Sequence, residues 1–203
     1  IPEQGPKEQR RNFFADKFME SKKAHIRLRE RADVLARTVL SQQAFYQSDQ
    51  CSPNQRQLLE TMVGAAIWYF PQSDELWTGM ISVDALKAFV DAAGSKAVKL
   101  TKDHHYPRKV AAAELFSLNW ATVNDPAGEV LRRYLGCYGQ FNLVLPVENK
   151  RLVKHQKTQS FVSPADAYAK AGIELKPLSR TLLKAIQAGE TELAELVLSG
   201  DID

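Results

Sequence analysis

The segment Lys102-Asp103-His104-His105-Tyr106-Pro107-Arg108-Lys109 sets a carboxylate beside two imidazoles and follows them with two cations. A carboxylate oxygen is a hard ligand suited to a divalent cation such as Mg²⁺. A neutral imidazole can take a proton from water near pH 7. Arg108 and Lys109 can meet an anionic substrate. A second group lies downstream, with Asn142 in Gln140-Phe141-Asn142-Leu143-Val144-Leu145 and Asn149 just after Pro146-Val147-Glu148. An amide oxygen from Asn149 beside the Asp103 carboxylate leaves several positions for water and phosphate oxygens, the arrangement Mg²⁺ prefers. Lys150, Arg151 and Lys154 follow closely enough to hold flanking phosphates.

These groups need elements to carry them. Lys96 to Thr101 alternates and is rich in strand formers, so it reads as a strand, with Asp103 to Arg108 as the loop behind it. Gln140 to Leu145 reads as a second strand, closed by Pro146, and Glu148 to Gln156 as a helix with a basic face. The expected arrangement is a hairpin with that helix packed across it, so that Asn149 faces Asp103. Between the strands, Val110 to Leu118 and Asp125 to Gly136 read as helices. Ahead of them, Arg10 to Tyr46 contains no Pro or Gly, Ser52-Pro53 caps a helix that reaches Phe70, and Val83 to Ala93 forms another before Gly94. Behind them, a short helix after Ser163-Pro164 ends near Gly172, and 178–186 and 191–198 read as two closing helices. Trp68, Tyr69, Phe70, Trp77 and Trp120 read as packing residues, and His25 as a surface residue of a basic helix.

The chain's 203 residues, 44% hydrophobic and 25% charged, are enough for a real core and exclude a collagen-like or disordered chain. No apolar run approaches the ~18 residues of a spanning helix, so no membrane partner is expected. Ile1-Pro2-Glu3-Gln4 lacks a basic start and an apolar run, and two cysteines cannot build a disulfide framework. The expected location is therefore cytoplasmic. The net charge is only +3, but residues 10–37 hold nine Lys/Arg against four Asp/Glu, and residues 99–157 hold ten against five. Two basic stretches suit a phosphate-bearing partner.

Asp103-His104-His105-Tyr106-Pro107 resembles the Asp-His-x-x-Pro signature of the HNH, or ββα-metal, endonucleases. Asn142-Leu143 is similar to that family's central Asn on its second strand, and Glu148-Asn149-Lys150 to the start of its metal-binding helix. The resemblance spans about residues 96–158. It implies that Asp103 and Asn149 are metal ligands for Mg²⁺ or Mn²⁺, that His104 is the general base, and that Asn142 braces the loop and orients His104. Charge does not separate His104 from His105; the spacing to Pro107 favours His104. The chain departs from the family in the 37 residues between His104 and Asn142, in lacking zinc-binding cysteine pairs, and in carrying Asn rather than His at position 149.

The expected fold is mainly α with a small β-hairpin: a helical N-terminal region over 1–95, a ββα-metal-like core with a helical insertion over 96–158, and a C-terminal helical extension over 159–203. The expected activity is metal-dependent hydrolysis of phosphodiester bonds. DNA is preferred to RNA on the resemblance alone, with Arg108, Lys109, Lys150, Arg151 and Lys154 on the phosphates. Two other readings stand beside it. One is a nucleic-acid-binding module without catalysis. The other is a helical subunit whose N-terminal helices meet a second copy or a partner protein.

Overall fold

The computed structural model describes residues 22–71, 73–92 and 98–202, with side chains from Ile26 onward. The expected helix before Lys22, the side chain of His25 and the first two residues of the expected strand at Lys96 lie outside them. In chain order the described elements are α1 (Lys22–Gln47), α2 (Pro53–Trp68), β1 (Trp77–Ser82), α3 (Val83–Ala92), β2 (Thr101–His104), α4 (Arg108–Ser117), α5 (Pro126–Arg133), β3 (Phe141–Val144), α6 (Pro146–Leu152), α7 (Pro164–Lys170), β4 (Leu175–Pro177), α8 (Arg180–Gln187) and α9 (Glu192–Ser199). The protein is thus mostly helical with one small mixed sheet, and among the described residues no helix is long and apolar enough to cross a membrane. The chain divides into two compact units, residues up to Leu76 with Tyr106–Gln140, and Trp77–His105 with Phe141–Asp203. They interleave along the sequence, unlike the consecutive stretches 1–95, 96–158 and 159–203.

The first unit is helical. Leu28, Ala32, Leu35, Ala36 and Val39 recur at three- and four-residue steps and form the buried stripe of α1. Against it pack α4, through Ala111, Ala112, Leu115 and Phe116, and α5, through Ala127, Val130 and Leu131. Ser52 and Gln55 form a reciprocal capping box that starts α2. Gly64 lets α2 approach α4 closely, since a Cβ there would stand 3.1 Å from the Arg108 carbonyl oxygen. A π-helical turn, Tyr134–Tyr138, continues α5. It brings Tyr138 to Glu114, which also accepts from Tyr106. Trp68 and Tyr69, read as core or helix-end packing, are 44% and 73% exposed at the end of α2, and the Arg108 guanidinium lies 4.4 Å from the Trp68 ring centroid. Phe70 and Trp120 are buried as expected. A groove of about 620 Å³ runs between α1 and α2, lined by Val34, Leu35, Met62, Val63, Tyr69 and Phe70.

The second unit holds the sheet, with strand order β2-β3-β1-β4. β1 pairs parallel with β3, while β2–β3 and β1–β4 are antiparallel. The expected hairpin pair β2–β3 is therefore two strands of four. β1 and β4 were not read from the sequence. The first strand is also displaced from 96–101: it starts at Thr101 and carries Asp103 and His104, which are strand residues rather than loop. Thr-Lys-Asp-His shows no apolar alternation because β2 is an edge strand, and its one buried side chain is a carboxylate with hydrogen-bond partners. One sheet face is covered by Leu152 of α6 and Tyr168 of α7, which pack with Val144, Ala171 and Ile173.

Candidate functional site

Side chains alternate across a strand, and opposed residues of paired strands share a face. Asp103 is opposite Asn142, and His104 is opposite Phe141. Asp103 and Asn142 therefore lie together on the face covered by α6 and α7. His104 lies on the other face, with Phe141 and with Lys102, whose Nζ is 4.7 Å from the Phe141 ring centroid.

Asn142 is fully buried, and both ends of its carboxamide are engaged. Oδ1 accepts from the Thr78 hydroxyl on β1. Nδ2 lies 3.3 Å from His105 Nδ1. Thr78 follows Trp77, the partner of Phe141, and so falls beside Asn142. The β1–β3 register shifts between Trp77 and Ile81, Gly79 takes φ +80° inside it, and the Thr78 hydroxyl also accepts from the Met80 N–H at 3.2 Å. The imidazole that Asn142 contacts is thus His105, not His104. His105 has just left β2 and is free of the strict alternation that turns His104 away.

Asp103 is only 4% exposed. Its Oδ2 accepts from the Tyr168 hydroxyl, and Gln156 Nε2 lies 3.3 Å from both Oδ1 and Oδ2. Both donors are neutral. Burial pushes the Asp103 carboxyl above the ordinary carboxylate range, and the Tyr168 and Gln156 hydrogen bonds oppose that rise. Burial and the neighbouring carboxylate push the Tyr168 phenol far above its ordinary value.

α6 faces the sheet with Glu148 and Leu152, one turn apart and both buried. The Glu148 carboxylate accepts from the Ser82 hydroxyl at 2.5 Å and from the Leu145 N–H at 2.8 Å, fixing the helix start against the end of β1. Arg151 leaves one flank, its Nη2 3.8 Å from Asp84 Oδ2 and 3.8 Å from Glu148 Oε1. Asp84 opens α3, directly behind β1. Asn149 is half-buried on the opposite flank, at the helix's roughly 100° per residue. β1 and β2 sit on opposite sides of β3, and α6 packs over β2. Lys150 and Lys154 are exposed. Arg108 and Lys109 belong to the first unit, at the start of α4.

Mg²⁺ or Mn²⁺ takes oxygen donors, and the chemistry at Asp103 fits such an ion. Among the described residues the donors to Asp103 are neutral, and a buried carboxylate gains from a positive partner. Among the described residues no group of three or more His, Cys, Asp and Glu gathers to hold a metal, so an ion at Asp103 would take its remaining ligands from amide oxygens, water and substrate. The sequence reading missed Thr78, Gln156 and Tyr168. Thr78 lies on an unread strand, and Tyr168, 65 residues from Asp103, on a helix that was read but given no role. No one-dimensional spacing links these positions to Asp103 or Asn142. Compared with known proteins, the chain matches no family model, no curated protein and no solved structure.

Proposed function

We propose that the second unit is a metal-dependent endonuclease of the HNH type, acting on DNA, with His105 rather than His104 as the general base. The observation that supports this most is the row Asp103–Asn142–Thr78 across three adjacent strands, with the Asn142 carboxamide 3.3 Å from His105 Nδ1. To take a proton from water at Nε2, the imidazole must keep its other proton on Nδ1. Asn142 selects that tautomer when it turns Oδ1 to the ring. Its Nδ2 then donates to the Thr78 hydroxyl, which can accept as readily as donate. Asn142 is a positioning residue, and its burial keeps its amide from being lost to water. A divalent cation held by Asp103 and Asn149 would polarise the scissile phosphate and stabilise the leaving oxygen. Lys150 and Lys154, exposed behind Asn149, neutralise neighbouring phosphates. Arg151 is partly committed to Asp84 and contributes less.

The test is nicking of supercoiled plasmid by the full chain with Mg²⁺, Mn²⁺ or EDTA. His105→Ala is expected to lower the rate by about 10²–10⁴, the usual worth of a general base, with His104→Ala within about tenfold of the wild type. Equal rates for both variants and the wild type would overturn the assignment. The exposed lysines also fit a binding module without catalysis. That reading predicts metal-independent, salt-sensitive DNA binding and no nicking.

A further inference from the structure

We propose that Gln156 is a switchable ligand of the cation site: its side-chain amide nitrogen holds Asp103 when no ion is bound, and its amide oxygen joins Asp103 on the ion when one is. The inference rests on the reading that Asp103 carries a divalent cation.

The two bonds to Asp103 differ in kind. Tyr168 is anchored: its ring is buried with Val144, Leu152, Ala171 and Ile173, and its hydroxyl bonds one oxygen, Oδ2. Gln156 Nε2 instead stands 3.3 Å from each oxygen, equidistant from the two. Two equal, long contacts make a weak pair of hydrogen bonds. A cation chelated by both oxygens would likewise be shared between them, so the amide N–H group makes the contact that an ion would replace.

Gln156 has the freedom to change roles. It directly follows the 3₁₀ turn Val153–His155, and residues 156–163 between that turn and α7 form no helix or strand. The last torsion of a Gln side chain is broad and nearly two-fold, so half a turn exchanges Nε2 for Oε1 at little cost. Amide oxygens are ordinary ligands for hard divalent cations. Tyr168 needs no change, because its hydroxyl keeps Oδ2 in both states.

Calorimetric titration of Mn²⁺ into the full chain tests this, with thermal melts with and without the ion. Gln156→Leu is expected to weaken binding about tenfold or more, by removing the oxygen. Gln156→Glu, of the same size, is expected to tighten binding, to lower the melting temperature without metal by placing like charges together, and to show a larger Mn²⁺-induced rise. Asp103→Asn is the control that abolishes binding. If Asp103→Asn abolishes binding but both Gln156 variants titrate like the wild type, the inference falls and the metal reading stands. If the wild type binds no Mn²⁺, or Asp103→Asn binds as well as the wild type, the metal reading falls and takes the inference with it. Should Gln156→Leu unfold, Gln156→Glu alone decides: unchanged affinity refutes the role.

Discussion

Replacing Tyr168 by Phe isolates one atom of the site. The ring stays in its cluster with Val144, Leu152, Ala171 and Ile173, so no cavity opens and no apolar burial is lost. What disappears is the hydroxyl bond to Asp103 Oδ2. While Asp103 is protonated that bond joins two neutral groups and contributes about 1 kcal/mol. Once Asp103 is ionised it becomes a bond to a buried charge, at about 1.5–3 kcal/mol. The sign follows from linkage. The folded carboxyl already titrates above its ordinary value because it is buried, so its contribution to stability is complete below that ordinary value and is lost as pH rises through the folded one. Without the hydroxyl the folded value moves higher still, and the loss continues over a wider span. The gap between wild type and Tyr168→Phe should therefore widen from about 1 kcal/mol at acid pH, where the carboxyl is protonated, to about 2–3 kcal/mol once the pH has passed the folded value. Urea unfolding read from the backbone NMR peaks of residues 101–104 and 141–144 follows this unit alone. A gap that is constant with pH, or widest at the acid end, would refute the picture of an ionising Asp103 held by Tyr168.

Glu148→Ala should destabilise the second unit by about 3–5 kcal/mol in thermal or urea unfolding. It strips two buried bonds to a carboxylate and leaves the Ser82 O–H and the Leu145 N–H without that acceptor, whereas Glu148→Gln should cost about half as much. In the first unit, a hydrogen bond from Arg132, opposed by burial and aided by a weaker effect of Arg133, holds the Glu129 carboxyl down to about 2. Its stabilisation is therefore complete above about pH 4.5 and lost as pH falls through 2. Glu129→Gln should cost about 1–2 kcal/mol at pH 6, discounted for the exposed Arg132 partner, and only a small part of that at pH 2, by acid titration of helicity. Gly64→Ala would be worth up to ~1 kcal/mol in an ordinary helix interior. Here the added Cβ meets the Arg108 carbonyl oxygen at 3.1 Å, and backbone cannot swing aside, so a lower melting temperature is expected.

The helices were legible because their signals are local. Ser52-Pro53, Asp125-Pro126 and Ser163-Pro164 each start a helix at the Pro they name, and in each the Ser or Asp accepts a backbone N–H of the first turn. Helices at 180–187 and 192–199 fall within two residues of the expected spans. The sheet was harder. β3, buried along its whole length, shows as the apolar run around Asn142. β2 is four residues at an edge, polar throughout, and its strand character comes from pairing with β3 rather than from its own composition. β1 contains Gly79 in a bulge, which breaks the alternation a strand would show. These short strands are specified by their neighbours, and a reading confined to each window cannot see the neighbours.

The same register decides which imidazole belongs to Asn142. Reading Asp103 and His104 as adjacent loop residues lets both aim at one ion. In a strand, neighbours point to opposite faces, and a slip of one residue exchanges the faces of every side chain. With Asp103 paired to Asn142, the alternation sends His104 to the Phe141 face and leaves His105, beyond the last strand residue, to turn back to the amide. The short pattern ending at Pro107 cannot register this, because it counts positions along the chain and is blind to the face each one presents. Asp103 and Asn142 were both identifiable from residue type and order; which histidine Asn142 meets depends on a contact made 37 residues away in β3. A site of this kind is a cross-section of the sheet, Asp103 on β2, Asn142 on β3 and Thr78 on β1, and the central amide couples the outer two. Removing the Thr78 hydroxyl should therefore weaken the hold on His105 without touching the imidazole. If Thr78→Val nicks plasmid as fast as the wild type while Asn142→Ala does not, the amide acts alone and the row is only packing.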